Sequence, residues 1–227
     1  MNTSCKLCEK KRARRYCPGV GGEICPTCCG AERENTIACP FECEYLQAAR
    51  EHERPVELPL DQFPDHELPN KDIRITESFL RNQDHLVIWL SHSLVRAMES
   101  GQAVDFDARE ALDAIIKTYR TLQSGLVYET KPQNPYAAAI QQKLNEAIEE
   151  LRKSVAEEAG MQLLKDSDVL GVLVFLQRME IQHNNGRKKG RAFLQFLRNY
   201  FPARLPEAGA EGAVELPGVV TPPGVIL

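Results

Sequence analysis

Residues 5–43 read CKLCEKKRARRYCPGVGGEICPTCCGAERENTIACPFEC, and they hold every cysteine of the 227-residue chain. The eight cysteines are Cys5, Cys8, Cys17, Cys25, Cys28, Cys29, Cys39 and Cys43. Thiolate sulfur is a preferred zinc ligand, and cysteines two or three residues apart supply adjacent corners of a tetrahedron from one tight turn. Eight ligands divide into two complete tetrahedra with none left over. The stretch therefore predicts two structural zinc ions and no open, catalytic metal position.

The compartment decides whether these cysteines bind metal or form disulfides. Met1 is followed by no apolar stretch of the kind that marks a secretory signal, and the longest apolar run, 169–176, is too short to span a bilayer. We therefore expect a cytoplasmic protein with no membrane association. Cysteines stay reduced in the cytoplasm, so a dense cluster there is typical of metal binding.

The sequence around the cysteines also resembles a known class of module. A basic and aromatic run, Lys10 to Tyr16, leads to the third cysteine, and C-x3-C pairs follow at Cys25–Cys29 and Cys39–Cys43. In these features residues 5–43 resemble the cross-brace zinc fingers of the HIT and MYND type. Those fingers have a further cysteine three residues after the third, where this chain has Val20. The chain as a whole also resembles uncharacterised zinc-binding proteins of bacteria, which implies no activity.

The resemblance implies how the ligands are shared and what the module does. In a cross-brace, alternate cysteine pairs hold one metal. One ion would take Cys5, Cys8, Cys25 and either Cys28 or Cys29, and the other would take Cys17, Cys39, Cys43 and the remaining one. Such fingers bind protein partners and carry out no chemistry, so the resemblance implies a protein partner here as well.

Beyond the cysteines, apolar residues recur three and four positions apart, which is the spacing of one helix face. The predicted helices cover approximately 75–99, 107–125, 135–159, 169–183 and 187–200. Asp107 with Glu110 forms a capping box for the second helix, and Asn134 caps the third in front of Pro135. No pairing of strands is evident. The fold class we expect is mainly α, a helical bundle of about five helices with an N-terminal small two-zinc cross-brace module.

These patterns divide the chain into four parts. Residues 1–53 form the cysteine-rich zinc-binding module with a trailing short helix, and residues 54–70 form a linker with four prolines. Residues 71–201 form the helical bundle. Residues 202–227 are rich in proline, glycine and alanine, a composition that favours a disordered tail. The tail ends in Val-Ile-Leu, which is either a short ligand for another protein or an end that docks back on the bundle.

Charge raises a second candidate function. The chain has a net charge of −4, yet residues 178–204 carry seven basic residues against one acid. Nucleic-acid binding would use Arg178, Arg187, Lys188, Lys189, Arg191 and Arg198, because cations on one helix neutralise phosphates. Alternatively, these residues pair with the acids of residues 51–177, where 22 acids face 13 bases.

The motifs that mark common enzyme classes are missing from the sequence. It contains no G-x-S-x-G, no G-x-x-x-x-G-K-[ST], no G-x-G-x-x-G and no H-E-x-x-H, so we expect neither catalysis nor a small-molecule substrate. The expected function is a zinc-binding, non-enzymatic adaptor or regulatory protein that holds a protein partner. Nucleic-acid binding through residues 178–204 is one alternative. A thiol and zinc redox sensor that uses the adjacent Cys28 and Cys29 is another.

Overall fold

The computed structural model describes residues 4–52, 69–100, 102–159 and 164–201. Within these ranges the elements are β1 (Arg15–Cys17), β2 (Gly22–Ile24), α1 (Pro26–Glu32), α2 (Glu44–His52), α3 (Glu77–Asn82), α4 (Asp84–Ser100), α5 (Asp105–Gln123), α6 (Pro135–Ala159), α7 (Asp166–His183) and α8 (Ala192–Tyr200). The mainly α fold class is therefore confirmed. Most of the predicted linker and the whole predicted tail, residues 202–227, lie outside the described residues. None of the helices in the described ranges has the length and apolar character needed to cross a bilayer.

The described part of the predicted zinc-binding module, residues 4–52, which we call the zinc module, combines a short hairpin with two helices. Strands β1 and β2 pair antiparallel, with Arg15 opposite Ile24 and Cys17 opposite Gly22. Gly21 in the connecting turn has a φ of +62°, a conformation that glycine adopts without a steric penalty. Helix α1 begins with Pro26 at its first position, where the missing N–H is not needed. The hairpin and α1 thus contain or directly adjoin four of the eight cysteines, Cys17, Cys25, Cys28 and Cys29.

The helical bundle, residues 69–201, is built around α7. Helix α5 packs against α6 and α7, α4 packs against α6, and α8 closes the bundle against α4 and α7. Every residue from Val169 to Gln177 is buried, as expected for a central helix that is apolar on most sides. Gly171 lets α7 approach the ring of Phe79 closely, because a Cβ at this position would lie 2.5 Å from Phe79 Cζ.

The predicted helix over 75–99 is wrong as a single helix, since it is divided into α3 and α4 at Gln83. Thr76 caps α3 by accepting a hydrogen bond from Phe79 N at 3.1 Å. Leu80 and Leu86 are both buried although they are six residues apart. On one continuous helix they would point about 120° apart. The break lies between these two leucines, which places Leu80 on α3 and Leu86 on α4.

The start of α5 lies two residues before the predicted one. Asp107 is not the cap residue but the third residue of the helix, and its carboxylate accepts a hydrogen bond from Val104 N at 2.9 Å. The buried Asp105 is the first residue of α5, and its carboxylate accepts hydrogen bonds from the backbone N–H groups of Phe193 and Leu194 at the start of α8, at 3.0 and 3.2 Å. This long-range contact leaves no signature in the local sequence.

The last predicted helix starts five residues too early. Residues 184–191, which we call the basic loop, are not helical, and α8 begins at Ala192. Gly186 has a φ of +72°, and the Asn185 side chain accepts a hydrogen bond from Arg187 N at 3.1 Å, which stabilises a turn. A Cβ on Gly190 would lie 2.4 Å from the Asn185 side-chain oxygen. The first five residues of the predicted helix, 187–191, therefore lie in a compact loop.

Candidate metal centre and its junction with the helical bundle

Four cysteines converge in the zinc module. The Sγ atoms of Cys5, Cys8, Cys25 and Cys28, which we call the first cysteine set, all lie within 4.8 Å of one another. A tetrahedral zinc ion with Zn–S bonds of about 2.3 Å separates its ligand sulfurs by about 3.8 Å. The Sγ atoms of Cys8 and Cys25 are 4.0 Å apart, close to that value. The set is therefore compatible with a zinc ion held by four thiolates.

Hydrogen bonds of the backbone hold these side chains in position. The first turn is closed by hydrogen bonds from Glu9 N to Cys5 O at 2.8 Å and from Cys5 N to Lys11 O at 2.9 Å. Two N–H groups point at sulfur, Cys25 N at Cys5 Sγ (3.2 Å) and Cys28 N at Cys25 Sγ (3.4 Å). Such N–H to sulfur contacts stabilise thiolates and orient metal ligands.

Within the first set, the pKa of the Cys5 thiol is lowered and that of the Cys28 thiol is raised. Burial raises the pKa of Cys5, but backbone N–H groups of Cys8, Cys25 and Leu7 outweigh it and lower the pKa to about 6. A hydrogen bond with Cys25, together with burial, raises the pKa of Cys28 to about 12. Thiolates this close cannot all be charged unless a cation replaces the shared protons. The chemistry of the set thus fits a divalent metal.

The other four cysteines, Cys17, Cys29, Cys39 and Cys43, form the second cysteine set. They line one small pocket together with Ile24, Ile37 and Leu46. Burial raises the pKa of Cys39, the nearby Cys17 and Cys43 raise it further, and the N–H of Glu34 opposes them. Among the described residues the first set alone meets the 4.8 Å spacing.

Helix α1 assigns the adjacent cysteines to different sets. Cys28 belongs to the first set, whereas Cys29 lines the pocket of the second. Successive residues of an α-helix point about 100° apart, so neighbours on α1 face different directions. The sequence left this choice open.

Glu34 connects the zinc module to the bundle. It is 1% exposed, its φ is +52°, and its carboxylate is 2.5 Å from Arg50 Nη2. The same carboxylate accepts hydrogen bonds from the Asn185 side chain at 2.8 Å and from Arg191 N at 3.2 Å. The carbonyl of Glu34 accepts a further bond from Lys189 N at 2.7 Å. One buried residue therefore contacts Cys39, α2 and the basic loop.

Two further contacts hold the basic loop on the module. Arg187 Nη1 donates to Arg33 O at 2.8 Å, and Lys189 Nζ donates to Thr36 O at 2.6 Å. The loop is also attached to the bundle, because Asp105 N donates to Gly190 O at 2.9 Å. Sequence reasoning missed this junction, and no local signal could have found it, since Glu34 is one acid within an ordinary polar stretch.

The six candidate nucleic-acid residues do not form one surface for phosphates. Arg178 donates to the carbonyls of Asn70 and Ile73 within the bundle, and burial lowers its pKa. Arg198 pairs with Glu99 at 3.2 Å. Arg187 and Lys189 contact the zinc module, whereas the side chain of Lys188 is exposed. The alternative pairing with acids of residues 51–177 is seen for Arg198, while the other contacts of the loop are mainly with the module.

Comparisons of this chain with protein-family models, with curated proteins and with solved structures find no match. The resemblance of residues 5–43 to HIT and MYND fingers therefore remains a prediction. What the structure supports is its coarser part, a four-cysteine cluster compatible with zinc.

Proposed function

We propose that this protein is a non-enzymatic adaptor whose N-terminal module is organised by two structural zinc ions and whose surface holds a protein partner. The observation that carries the proposal is the convergence of four sulfur atoms in the first cysteine set. A zinc site made of four cysteines is closed, since it leaves no position for water or substrate. A closed site stabilises a fold and does not catalyse a reaction.

Two ions account for all eight cysteines. The first set takes one ion, and the pocket lined by Cys17, Cys29, Cys39 and Cys43 takes the second. Cys39 already receives an N–H from Glu34, which is a contact that stabilises a metal-bound thiolate. The division into alternate pairs is the arrangement that the cross-brace resemblance implies, with Cys28 and Cys29 each serving one ion.

An exposed apolar segment supports a protein partner. Leu126, Val127 and Tyr128 are 64%, 93% and 66% exposed and follow one another outside any helix or strand. The segment is fixed to α5 by Leu126 N, which donates to Thr121 O at 2.9 Å, and by Thr130 N, which donates to Thr118 Oγ1 at 3.0 Å. Contiguous exposed apolar side chains on a fixed backbone are typical of protein-binding surfaces.

The internal contacts of the basic loop favour the adaptor over the nucleic-acid alternative. A cation that already donates to a carbonyl or pairs with a carboxylate has to give up that contact before it neutralises a phosphate. Arg178, Arg187 and Lys189 are all engaged in this way. Binding of generic RNA and DNA to the zinc-loaded protein across a salt series tests the choice. If the protein is an adaptor, neutralisation of the basic residues in 187–191 should have no effect on any binding that is observed. If affinity falls with salt concentration with a log–log slope of several, and this neutralisation abolishes binding, the result would support the nucleic-acid alternative.

The partner itself is tested by quantitative affinity purification with the zinc-loaded full-length chain. We expect one protein to copurify in stoichiometric amount with the wild type and with the control Ala139→Asp, an exposed position on α6. Val127→Asp places a charge in the apolar segment and should reduce the retained amount at least about tenfold. Equal retention by the two variants, or no stoichiometric protein in any sample, would contradict the proposal.

A further inference from the structure

Three arginines surround one aromatic ring at the junction between the zinc module and the bundle. The guanidinium carbons of Arg191, Arg198 and Arg50 lie 4.4, 4.9 and 5.8 Å from the ring centroid of Phe41. Phe41 and Arg50 belong to the module, whereas Arg191 and Arg198 belong to the bundle. We call these four residues the arginine cluster. Phe41 lies between Cys39 and Cys43 in the sequence, but none of the four residues is a predicted metal ligand.

The fold explains the position of each arginine only in part. Arg50 gives one nitrogen to Glu34, and Arg198 gives one to Glu99. The guanidinium of Arg191 makes neither a hydrogen bond nor an ion pair with any residue that the structure describes; its only described contact is the ring of Phe41. A cation on an aromatic ring is stabilised by the ring quadrupole, but three cations on one ring also repel one another.

Several donors in the cluster are also unsatisfied. The Nε atoms of Arg191 and Arg50, and the Nη1 atom of Arg50, are buried and donate to none of the described residues. Buried donors are nearly always paired in proteins, and an unpaired group calls for a water or ion as its partner. Burial lowers the pKa of Arg191, the carboxylates of Asp105 and Glu99 oppose this, and the nearby Arg198 and Arg50 lower the pKa by a smaller amount.

The three guanidinium groups around one ring and the unsatisfied donors point to the same kind of ligand. Guanidinium groups bind phosphate oxygens through paired N–H groups, and clustered arginines are typical of phosphate recognition. Arg191 is half-buried and the side chain of Arg198 is 41% exposed, so a small anion reaches the cluster from the surface. We propose that Arg50, Arg191 and Arg198 bind a single phosphate group at Phe41, carried either by the free ion or by a small phosphate ester.

Isothermal titration calorimetry tests this site. The zinc-loaded full-length chain is titrated with inorganic phosphate at constant ionic strength, with chloride as the reference salt. The variant Arg191→Gln removes the guanidinium that has no ionic partner within the described fold. Its matched control is Lys188→Gln, three residues away on the same loop, which removes the same charge from an exposed side chain. We expect saturable binding by the wild type and by Lys188→Gln, and binding at least about tenfold weaker by Arg191→Gln.

Thermal unfolding separates a ligand site from a merely structural contact. Without phosphate, Arg191→Gln should be slightly less stable than the wild type, because the substitution removes the attraction of Asp105 and Glu99 along with the smaller repulsion from Arg50 and Arg198. With phosphate, the melting temperature should rise for the wild type and for Lys188→Gln but not for Arg191→Gln. If Arg191→Gln does not fold, Arg191→Lys keeps the charge, removes the planar fork, and should still weaken binding.

Phenyl phosphate, titrated in parallel, identifies the source of the phosphate group. Binding of both compounds supports a site open to esters, and binding of inorganic phosphate alone supports a site for the free ion. Absence of saturable binding for both compounds would overturn the proposal. Equal binding by Arg191→Gln and Lys188→Gln would overturn it too, because the response would then reflect general positive charge.

Discussion

The zinc module and the helical bundle hold themselves together by different means. The buried cluster of the module has six residues, of which four are cysteines, whereas that of the bundle has thirty, most of them aliphatic. A segment as small as the module buries little apolar surface, and in the proposed function metal coordination supplies the missing free energy. The bundle follows the opposite rule, with a large core of mostly aliphatic side chains. The two parts meet at Glu34 and at Phe41, which packs against the bundle core, so the coupling between them is both polar and apolar.

The sharpest way to break this comparison is to remove the metal. Chelation should unfold the module and leave the bundle helical, because structural zinc contributes about 10 kcal/mol or more to small zinc domains. Amide resonances of residues 4–52 should collapse in an NMR spectrum, while the helical circular dichroism largely remains. Cys5→Ser should release one ion, and chelator added to this variant should then release the second and complete the loss of dispersion. A module that keeps dispersed resonances without metal would contradict its dependence on zinc.

The complementary change removes apolar surface from the bundle. Leu112→Ala leaves a cavity at a fully buried position of α5 and should lower the free energy of unfolding by about 4 kcal/mol. The zinc content should not change, since Leu112 lies in the bundle core. Leu126→Ala is the control, because Leu126 is 64% exposed and should change the stability by less than about 0.5 kcal/mol. Urea unfolding with parallel metal analysis measures both quantities, and loss of zinc from Leu112→Ala would show that the two parts are not separable.

A third change tests the junction itself. Glu34→Gln removes the buried carboxylate that faces Arg50 and the basic loop, and should cost about 3 kcal/mol because the cation is left buried without its partner. Hydrogen exchange at the amides of Lys189 and Arg191 should accelerate, since both donate to Glu34. Glu42→Gln, an exposed position in the same module, should leave exchange unchanged. Unchanged protection in Glu34→Gln would mean that the loop is held by other contacts.

The smallest effect concerns pH. Burial raises the pKa of Asp105 to about 7, although the N–H groups of Phe193 and Leu194 oppose it. An unfolded aspartate has a pKa near 3.9, so between these two values the folded state binds the extra proton. This contribution to stability is full below the unfolded pKa and is lost as the pH rises through 7.

The variant Asp105→Asn isolates that contribution. It should cost about 1 kcal/mol as a weakened helix cap, and the difference in stability between wild type and variant should shrink as the pH rises from 5.5 to 8. Asp84→Asn, which changes an aspartate at the start of α4, should keep the pH dependence of the wild type. A difference between wild type and Asp105→Asn that does not vary with pH would place the titration elsewhere.

Patterns in short stretches of the sequence predicted the features that depend on residues close together in the chain. Helical periodicity located most of the bundle because each stripe buries its own apolar residues, and the first turn of α6 follows from Asn134 and Pro135. Cysteine spacing predicted metal ligands because zinc needs soft donors from tight turns. Leu80 and Leu86 show the limit of this approach. The apolar stripe over residues 75–99 is continuous, so it conceals the break that separates these two leucines into α3 and α4.

What the sequence could not supply depends on contacts between distant residues. Cys28 and Cys29 are equivalent as ligands until α1 directs them to different sets. Glu34 and the basic loop meet across 150 residues of chain, so no periodicity or spacing links them. The start of the last predicted helix was wrong for a related reason, because the turn at Asn185 is stabilised by its contact with the module as well as by Gly186.

The most direct test of the central claim is the number of zinc ions per chain, measured by native mass spectrometry on the wild type, Cys28→Ser and Cys29→Ser. Division of the eight cysteines into two sets predicts two ions in the wild type and one in each variant. The remaining ion should be held by the second set in Cys28→Ser and by the first set in Cys29→Ser, as thiol alkylation of the unprotected cysteines would report. A single ion in the wild type, with the same count in Cys29→Ser, would contradict the second site and leave the first cysteine set as the whole metal centre.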